Sequence, residues 1–247
     1  MILYRRPTIC GRPVCSFMSL ELTLTPFIYF IGETIGISNT TASESGVFLA
    51  CIPVVSLVAS TFILKKKPAK IQIMGILITL IGVMITVFAV GASSSLSIFG
   101  YVFLITAVIS YALYSVFVEK TIDYTGIEIT YIMILIGAIV FGTVAICEAL
   151  IQGSFINLIT LPFKESSFAI AVLYQGIGSS IIAFLLSNVA ISKIGVNRTS
   201  SFIGVATVVS IIAGAVLLKE TFTIYQIIGA VVIIIGVYTA NMKKGDD

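Results

Sequence analysis

The chain has no histidine and no tryptophan among its 247 residues, and aspartate occurs only at positions 123, 246 and 247. Without histidine there is no imidazole base and no zinc site of the HExxH kind. The three aspartates lie outside every long apolar run, which excludes paired aspartates within a membrane. Charge is scarce altogether: 10% of residues are charged, 58% are hydrophobic, and the mean hydropathy is +1.16. No Walker-type loop is present, so ATP-driven work by this chain alone is not expected. The GIGSS stretch at 176–180 has the outline of a serine nucleophile turn, but no base accompanies it. Cysteines 10, 15, 51 and 147 show neither metal nor disulfide spacing. Those at 51 and 147 fall within apolar runs, where the thiol serves as a small hydrophobe. The expectation is a non-enzymatic protein with no cofactor and no bound metal.

What is present is apolar sequence in long blocks. Seven stretches of about 18 to 25 residues carry no charge, each long enough to cross a bilayer. Spans are expected at 22–41, 44–64, 71–91, 97–118, 128–150, 168–192, 198–218 and 223–242. The fold class is therefore all-α, a polytopic membrane helix bundle of about eight transmembrane helices. Residues 1–21 show little helical pattern and stand apart as an atypical N-terminal segment. Basic residues alternate between the loops: one face collects 12, including Lys65, Lys66, Lys67 and Lys70, and the other only Lys164 and Lys219. The positive-inside rule places the first face, and both chain ends, in the cytoplasm of a cell-membrane protein. These lysines sit at helix ends as topology determinants, so no nucleic-acid partner is expected. The partners are the lipid bilayer and a small-molecule substrate, with a homodimer left open.

Residues 27–83 reappear 154 positions later as 181–237, with about 16 identities in 57 positions. Gln72 matches Gln226, Gly75 matches Gly229, Gly82 matches Gly236, and Phe30 matches Phe184. Duplicated halves are typical of secondary transporters, which hold substrate between the repeats. Subtracting 154 from the spans at 97–118 and 128–150 gives negative positions. The first repeat is therefore expected to lack its first two helices, leaving three helices within 22–93 and five within 97–242.

A few polar residues inside the spans are candidates for substrate contact. Glu33 is the clearest, because a mid-span charge costs about 2.5–3.5 kcal/mol and normally faces a cavity or a partner. It suits an amino group or a proton, unless it lies at a solvated helix end. Glu44 opens a span, where a capping role is expected over substrate contact. Pro53 removes a backbone hydrogen bond, so a kink is expected there, lining a cavity or serving packing alone. Gln175 and Ser179 share one helix face, Tyr111 and Tyr114 share another, and Asn188 lies nearer the lysine-rich end. Such groups either line a cavity or hydrogen-bond neighbouring helices. Gly75 and Gly82, like Gly229 and Gly236, are seven apart on one face and are expected to bring helices close together.

The pattern TTASESGVFLACIPVVSLVASTFIL (40–64) followed by Gln72, Gly75 and Gly82 resembles the EamA type of the drug/metabolite transporter superfamily. NRTSSFIGVATVVSIIAGAVLLKE (197–220) followed by Gln226, Gly229 and Gly236 resembles its second copy. The resemblance implies ten helices in two inverted five-helix repeats around a central cavity. It also implies secondary active export of small metabolites, such as amino acids or drug-like compounds, by alternating access. Two departures stand out: the acidic residue that follows the fourth helix of a repeat is Glu220 in the second copy but Lys66 in the first, and the first two helices are absent. The rival expectation is a non-transporting membrane fragment or a helical interaction partner.

Overall fold

The structure, a computed structural model, describes residues 15–89, 97–121, 124–218 and 223–242. Among these residues every regular element is helical: α1 Cys15–Ser38, α2 Ala42–Ala50, α3 Ile52–Ile63, α4 Lys70–Ala89, α5 Ile98–Lys120 and α6 Gly126–Ile151. After them come α7 Phe155–Lys164, α8 Ser166–Leu173, a π-helical stretch Tyr174–Ala183, α9 Phe184–Ile194, α10 Val196–Ser201, α11 Ile203–Leu218 and α12 Ile224–Asn241. Six rods among the described residues are long and apolar enough to cross a membrane: Glu44–Ile63, Lys70–Phe88, Ile98–Lys120, Gly126–Ile151, Ser166–Ile194 and Ile224–Asn241. Leu24–Ser38 adds a shorter apolar helix. The protein is thus an all-α polytopic helix bundle.

Helix starts are written in local chemistry. Thr41 with Glu44, Thr125 with Glu128, and Thr223 with Gln226 each form a capping box. In each, the threonine hydroxyl accepts a backbone N–H and the acidic or amide side chain reaches back to the cap nitrogen. Glu44 therefore caps α2, and it also accepts the hydroxyl of Tyr101 on α5.

Several boundaries depart from the sequence expectation. α1 starts at Cys15, inside the segment expected to stand apart, because no glycine or proline lies between Pro13 and Pro26 to stop it. The span expected at 44–64 is interrupted close to its middle, beside Pro53. It breaks at Cys51, with Pro53 in the first turn of α3, where a missing N–H costs nothing. Its repeat counterpart breaks at Phe202, between α10 and α11. The span at 168–192 holds ten π-helical residues, a wide-turn form otherwise uncommon at that length. The 151–167 connection contains α7, which was not anticipated. Ser94, Asp123, Lys219 and Glu220 lie outside the described residues.

Two helix pairs dominate the packing, α4 with α12 and α1 with α5. In the first, a Cβ on Gly82 would stand 2.7 Å from the Ile233 nitrogen, and one on Gly229 would stand 2.8 Å from the Gly82 carbonyl oxygen. Gly75 faces the Ala240 backbone, and Gly236 faces Thr79 and the Gly75 carbonyl. Since 75 lies near 240 and 86 near 229, the two helices run antiparallel. Where Cα atoms approach this closely, dispersion contacts and weak Cα–H hydrogen bonds replace the hydrophobic drive that lipid cannot supply. On α1, Gly32 and Gly36 press against Phe103, Ala107 and Leu104 of α5 in the same manner.

The outer surface is apolar. The window within Ser166–Ile194 has no buried residue, and exposed Ile170, Leu173, Ile177 and Leu186 stud that rod. In a bilayer these side chains meet lipid at no cost, whereas in water they would make an aggregating patch.

Candidate functional site

Three helices bring polar and aromatic side chains to one place. Glu33 sits on α1 five residues before its end, one turn beyond Tyr29, whose hydroxyl donates to Glu33 Oε1 at 2.7 Å. The α1–α5 pairing fixes its depth. Its neighbour Gly32 lies against Phe103 and Ala107, five and nine residues into α5, so Glu33 stands about 8–14 Å inside that helix.

The Tyr29 ring belongs to a series of aromatic contacts. Tyr29 and Tyr111 lie 5.2 Å apart by ring centroid, Tyr111 and Tyr114 6.4 Å, Tyr114 and Phe184 6.2 Å, and Phe30 and Phe184 5.4 Å. These tilted pairings on α1, α5 and α9 form a continuous aromatic wall with the favourable geometry of edge-to-face contacts. Phe30 touches Phe184, its own counterpart in the 154-residue shift.

Below the wall lies a buried polar link. Tyr114 donates to Asn188 Oδ1 at 2.7 Å, Asn188 Nδ2 donates to Thr130 Oγ1 at 2.9 Å, and Thr130 donates to the Gly126 carbonyl at 2.7 Å. Asn188 and Tyr114 are almost completely buried. The link ties α5, α6 and α9 together with each of its members satisfied.

Of the seven sequence candidates, Glu33, Tyr111, Tyr114 and Asn188 converge here. Pro53, Gln175 and Ser179 share no hydrogen bond or ring contact with this cluster among the described residues. Pro53 is buried in α3. Gln175 and Ser179 lie in the π-helical stretch, where Ser180 Oγ donates to the Gln175 carbonyl at 2.9 Å. Tyr29, Phe30, Phe184 and Thr130 belong to the site without having been singled out. The i, i+4 spacing of Tyr29 and Glu33 carried a signal for the first, and the Phe30–Phe184 repeat match carried one for the next two.

A second polar cluster closes the lysine-rich end. Lys66, from the α3–α4 loop, pairs with Glu119 near the end of α5. Glu119 Oε2 also accepts the Val196 N–H at 3.0 Å, at the start of α10. Ser60 of α3 donates to Asn197 Oδ1 at 2.6 Å. A cleft of about 270 Å³ lies among Lys66, Lys67, Gln72, Glu119, Asn197 and Arg198. Lys66, the departure from the acidic residue of the other copy, thus has a use of its own: it latches α3, α5 and α10.

Among the described residues no group of three or more histidine, cysteine, aspartate or glutamate side chains is placed to hold a metal ion.

Comparison with known proteins shows which family the chain resembles. Residues 15–88 and 98–242 match the EamA-like transporter family. The chain is 33% identical over 234 residues to "Uncharacterized transporter YcxC" of Bacillus subtilis, covering 94% of this chain and 74% of that one. It is 28% identical over 222 residues to YetK, an uncharacterized transporter of the same organism, covering 88% of this chain and 65% of that one. A WAT1-related protein of Arabidopsis thaliana is 23% identical over 260 residues, with 92% and 66% covered. One solved crystal structure superposes with a TM-score of 0.69 at 18% identity, over 96% of this chain and 80% of that one, and so shares the fold. The chain is a multi-pass membrane protein that belongs to the EamA-like transporter family.

Proposed function

We propose that the chain is a secondary active transporter that moves small metabolites outward by alternating access. The observation that carries this reading is Glu33. It is a partly buried carboxylate on the apolar helix Leu24–Ser38, hydrogen-bonded by Tyr29, whose ring meets Phe30 and Tyr111. A charge held there at such cost is expected to serve a transported solute. Two further features support the mechanism. The α4–α12 contacts exchange with one another under the 154-residue shift: 75 against 240 becomes 229 against 86, and 79 against 236 becomes 233 against 82. Reciprocal antiparallel contacts are what an inverted repeat produces, and such repeats rock against each other about a midplane site. The Lys66–Glu119 latch and the Ser60–Asn197 bond join both repeats at the lysine-rich end, where they would act as a gate, while the Glu44–Tyr101 bond joins them at the other end.

The test is efflux from proteoliposomes containing the purified chain. Transport of an amino acid or drug-like compound above empty vesicles supports the reading. A folded chain that moves nothing would favour a helical interaction partner, which the exposed apolar stretch of the Ser166–Ile194 rod also suits.

The gate makes its own forecast. Glu119→Gln removes the charge that holds Lys66 and weakens the hold on the Val196 N–H. The ion pair is partly exposed, so its worth is small, about 1 kcal/mol or less. Thermal stability should barely change, while the closed end opens more often. Accessibility of a cysteine placed at Asn197 to a lysine-end reagent should rise about threefold, in line with that energy. Unchanged accessibility would mean that the pair does not gate.

Orientation is tested by labelling. On a background without Cys10, Cys15, Cys51 and Cys147, a cysteine at Lys67 should react only from the cytoplasm and one at Ser94 only from outside. The reverse pattern would invert the assignment.

A further inference from the structure

We infer that the cleft at the lysine-rich end is a binding site for the phosphate of an anionic lipid headgroup. This is independent of what the chain transports. Depth is the first observation. Four of the apolar rods end at the cleft: Glu44–Ile63, Lys70–Phe88, Ile98–Lys120 and Ser166–Ile194. Of the lining residues, Lys66, Lys67 and Pro68 follow the first rod, and Gln72 lies in the first turn of the second. Glu119 is one residue from the end of the third, and Ile194 ends the fourth. Hydrocarbon gives way to headgroups where apolar spans stop, so the cleft stands at headgroup depth. Ile194 is 46% exposed and offers an acyl chain an apolar surface beside the charged walls.

Lysines in a loop between spans are ordinarily topology determinants that stand free in water. Here the loop is tied down. Lys66 pairs with Glu119, Glu119 Oε2 accepts the Val196 N–H at 3.0 Å, and Ser60 Oγ donates to Asn197 Oδ1 at 2.6 Å. These bonds hold the α3–α4 loop, α5 and α10 around a walled space of about 270 Å³. Pockets for drug-sized ligands run to about 300–1,000 Å³, so this one suits a headgroup better than a whole solute. Charge then selects the occupant. Lys66, Lys67 and Arg198 line the cleft against a single carboxylate, Glu119, which leaves an excess of positive charge on its walls. Lys67 and Arg198 make no ion pair among the described residues. With Oδ1 of Asn197 engaged by Ser60, its amide nitrogen remains to donate. Ammonium, guanidinium and amide groups donate, phosphate oxygens accept, and a guanidinium can meet two of those oxygens at once. Basic pockets between spans at this depth recognise anionic headgroups, whereas a choline headgroup would set its own cation against Lys67 and Arg198.

The experiment uses the full chain in detergent and phosphatidylglycerol with a fluorescent acyl tail as the probe. Unlabelled phosphatidylglycerol, phosphatidylcholine and inorganic phosphate are the competitors. Phosphatidylglycerol should displace the probe at least about tenfold more effectively than phosphatidylcholine, and inorganic phosphate should be weaker still, because it lacks the chains that reach Ile194. Lys67→Gln and Arg198→Gln should each weaken probe binding about fivefold, and the double variant about twentyfold. Two exposed lysines outside the cleft are the controls: Lys120, at the same end, and Lys164, at the end of α7. Lys120→Gln and Lys164→Gln should stay within about twofold of wild type. Each variant's melting temperature is measured without lipid, and only folded variants are compared. Equal competition by the two lipids overturns the site. So does a loss in Lys120→Gln as large as in Lys67→Gln and Arg198→Gln, since diffuse surface charge would then account for binding. Inorganic phosphate that competes as well as phosphatidylglycerol overturns the lipid assignment in favour of a soluble phosphate.

Discussion

Replacing Gly75 or Gly229 by leucine should cost the chain much of its folded population in detergent. The reason is distance. A Cβ on Gly75 would run into the backbone nitrogen and Cα of Ala240, and one on Gly229 into Thr86 and, at 2.8 Å, the Gly82 carbonyl oxygen. Backbone atoms in the middle of a helix cannot rotate aside as a flexible side chain can. The helices must separate instead, and the α4–α12 pairing is the most extensive in the bundle. Overpacking costs about 1–3 kcal/mol where side chains can shift, and here about 3 kcal/mol or more is expected because they cannot. Each variant should melt well below wild type and lose its monodisperse peak. Gly142 supplies the control. It lies in α6 with nothing within 4 Å of its would-be Cβ. Gly142→Leu should be neutral or slightly stabilising, since leucine is the better helix former by up to about 1 kcal/mol. If Gly75→Leu and Gly229→Leu melt with Gly142→Leu, close packing is not what these glycines provide.

These glycines also show what the sequence made legible. The seven-residue spacing put both pairs on one helix face, and the 154-residue shift made them equivalent. Spacing did not say that the two faces meet each other. That follows from the antiparallel contact of α4 with α12, a pairing over about 150 residues of chain that no local pattern encodes. Six of the eight expected spans were legible among the described residues, for the same reason that hydropathy works: a lipid-facing rod must be apolar throughout. Breaks inside the spans were harder to read. Pro53 signalled one, and the break falls mid-span at Cys51, which closes α2 and leaves Pro53 in the first turn of α3. The π-helical stretch at Tyr174–Ala183 left no mark beyond two glycines and two serines.

The site divides in a similar way. Glu33 was visible because charge is rare within the spans. Its neighbours were less so, because an aromatic residue in an apolar run looks the same whether it meets lipid or another ring. Tyr29 and Phe30 on α1, Tyr111 on α5 and Phe184 on α9 come together only through helix packing. Gln175 and Ser179 share a helix face, as their spacing required, yet that face does not meet the Glu33 cluster among the described residues. Equivalence of the α1 and α9 regions in the repeat was therefore a sound guide for Phe30 and Phe184. It was an insufficient one for residues further along the π-helical stretch.

Asn188 is where substrate contact and structural bonding can be told apart, and the second large effect is expected there. Its amide is buried, with Oδ1 held by the Tyr114 hydroxyl at 2.7 Å and Nδ2 held by Thr130 Oγ1 at 2.9 Å. Asn188→Leu keeps the volume and removes both bonds. Thr130 can still donate to the Gly126 carbonyl, but the Tyr114 hydroxyl is left buried without an acceptor. An orphaned buried donor costs about 1–3 kcal/mol, so Asn188→Leu should melt clearly below wild type. Tyr114→Phe alone should also destabilise, because it orphans Asn188 Oδ1. The double variant Asn188→Leu/Tyr114→Phe replaces both partners with apolar groups of similar shape. It should recover much of the loss, leaving a coupling of at least about 1 kcal/mol between the two sites. A substrate ligand behaves differently: its single variants lose transport at full stability, and the second substitution restores nothing. Additive melting losses, or none, would detach Asn188 from the α5–α6–α9 brace and return it to the substrate path.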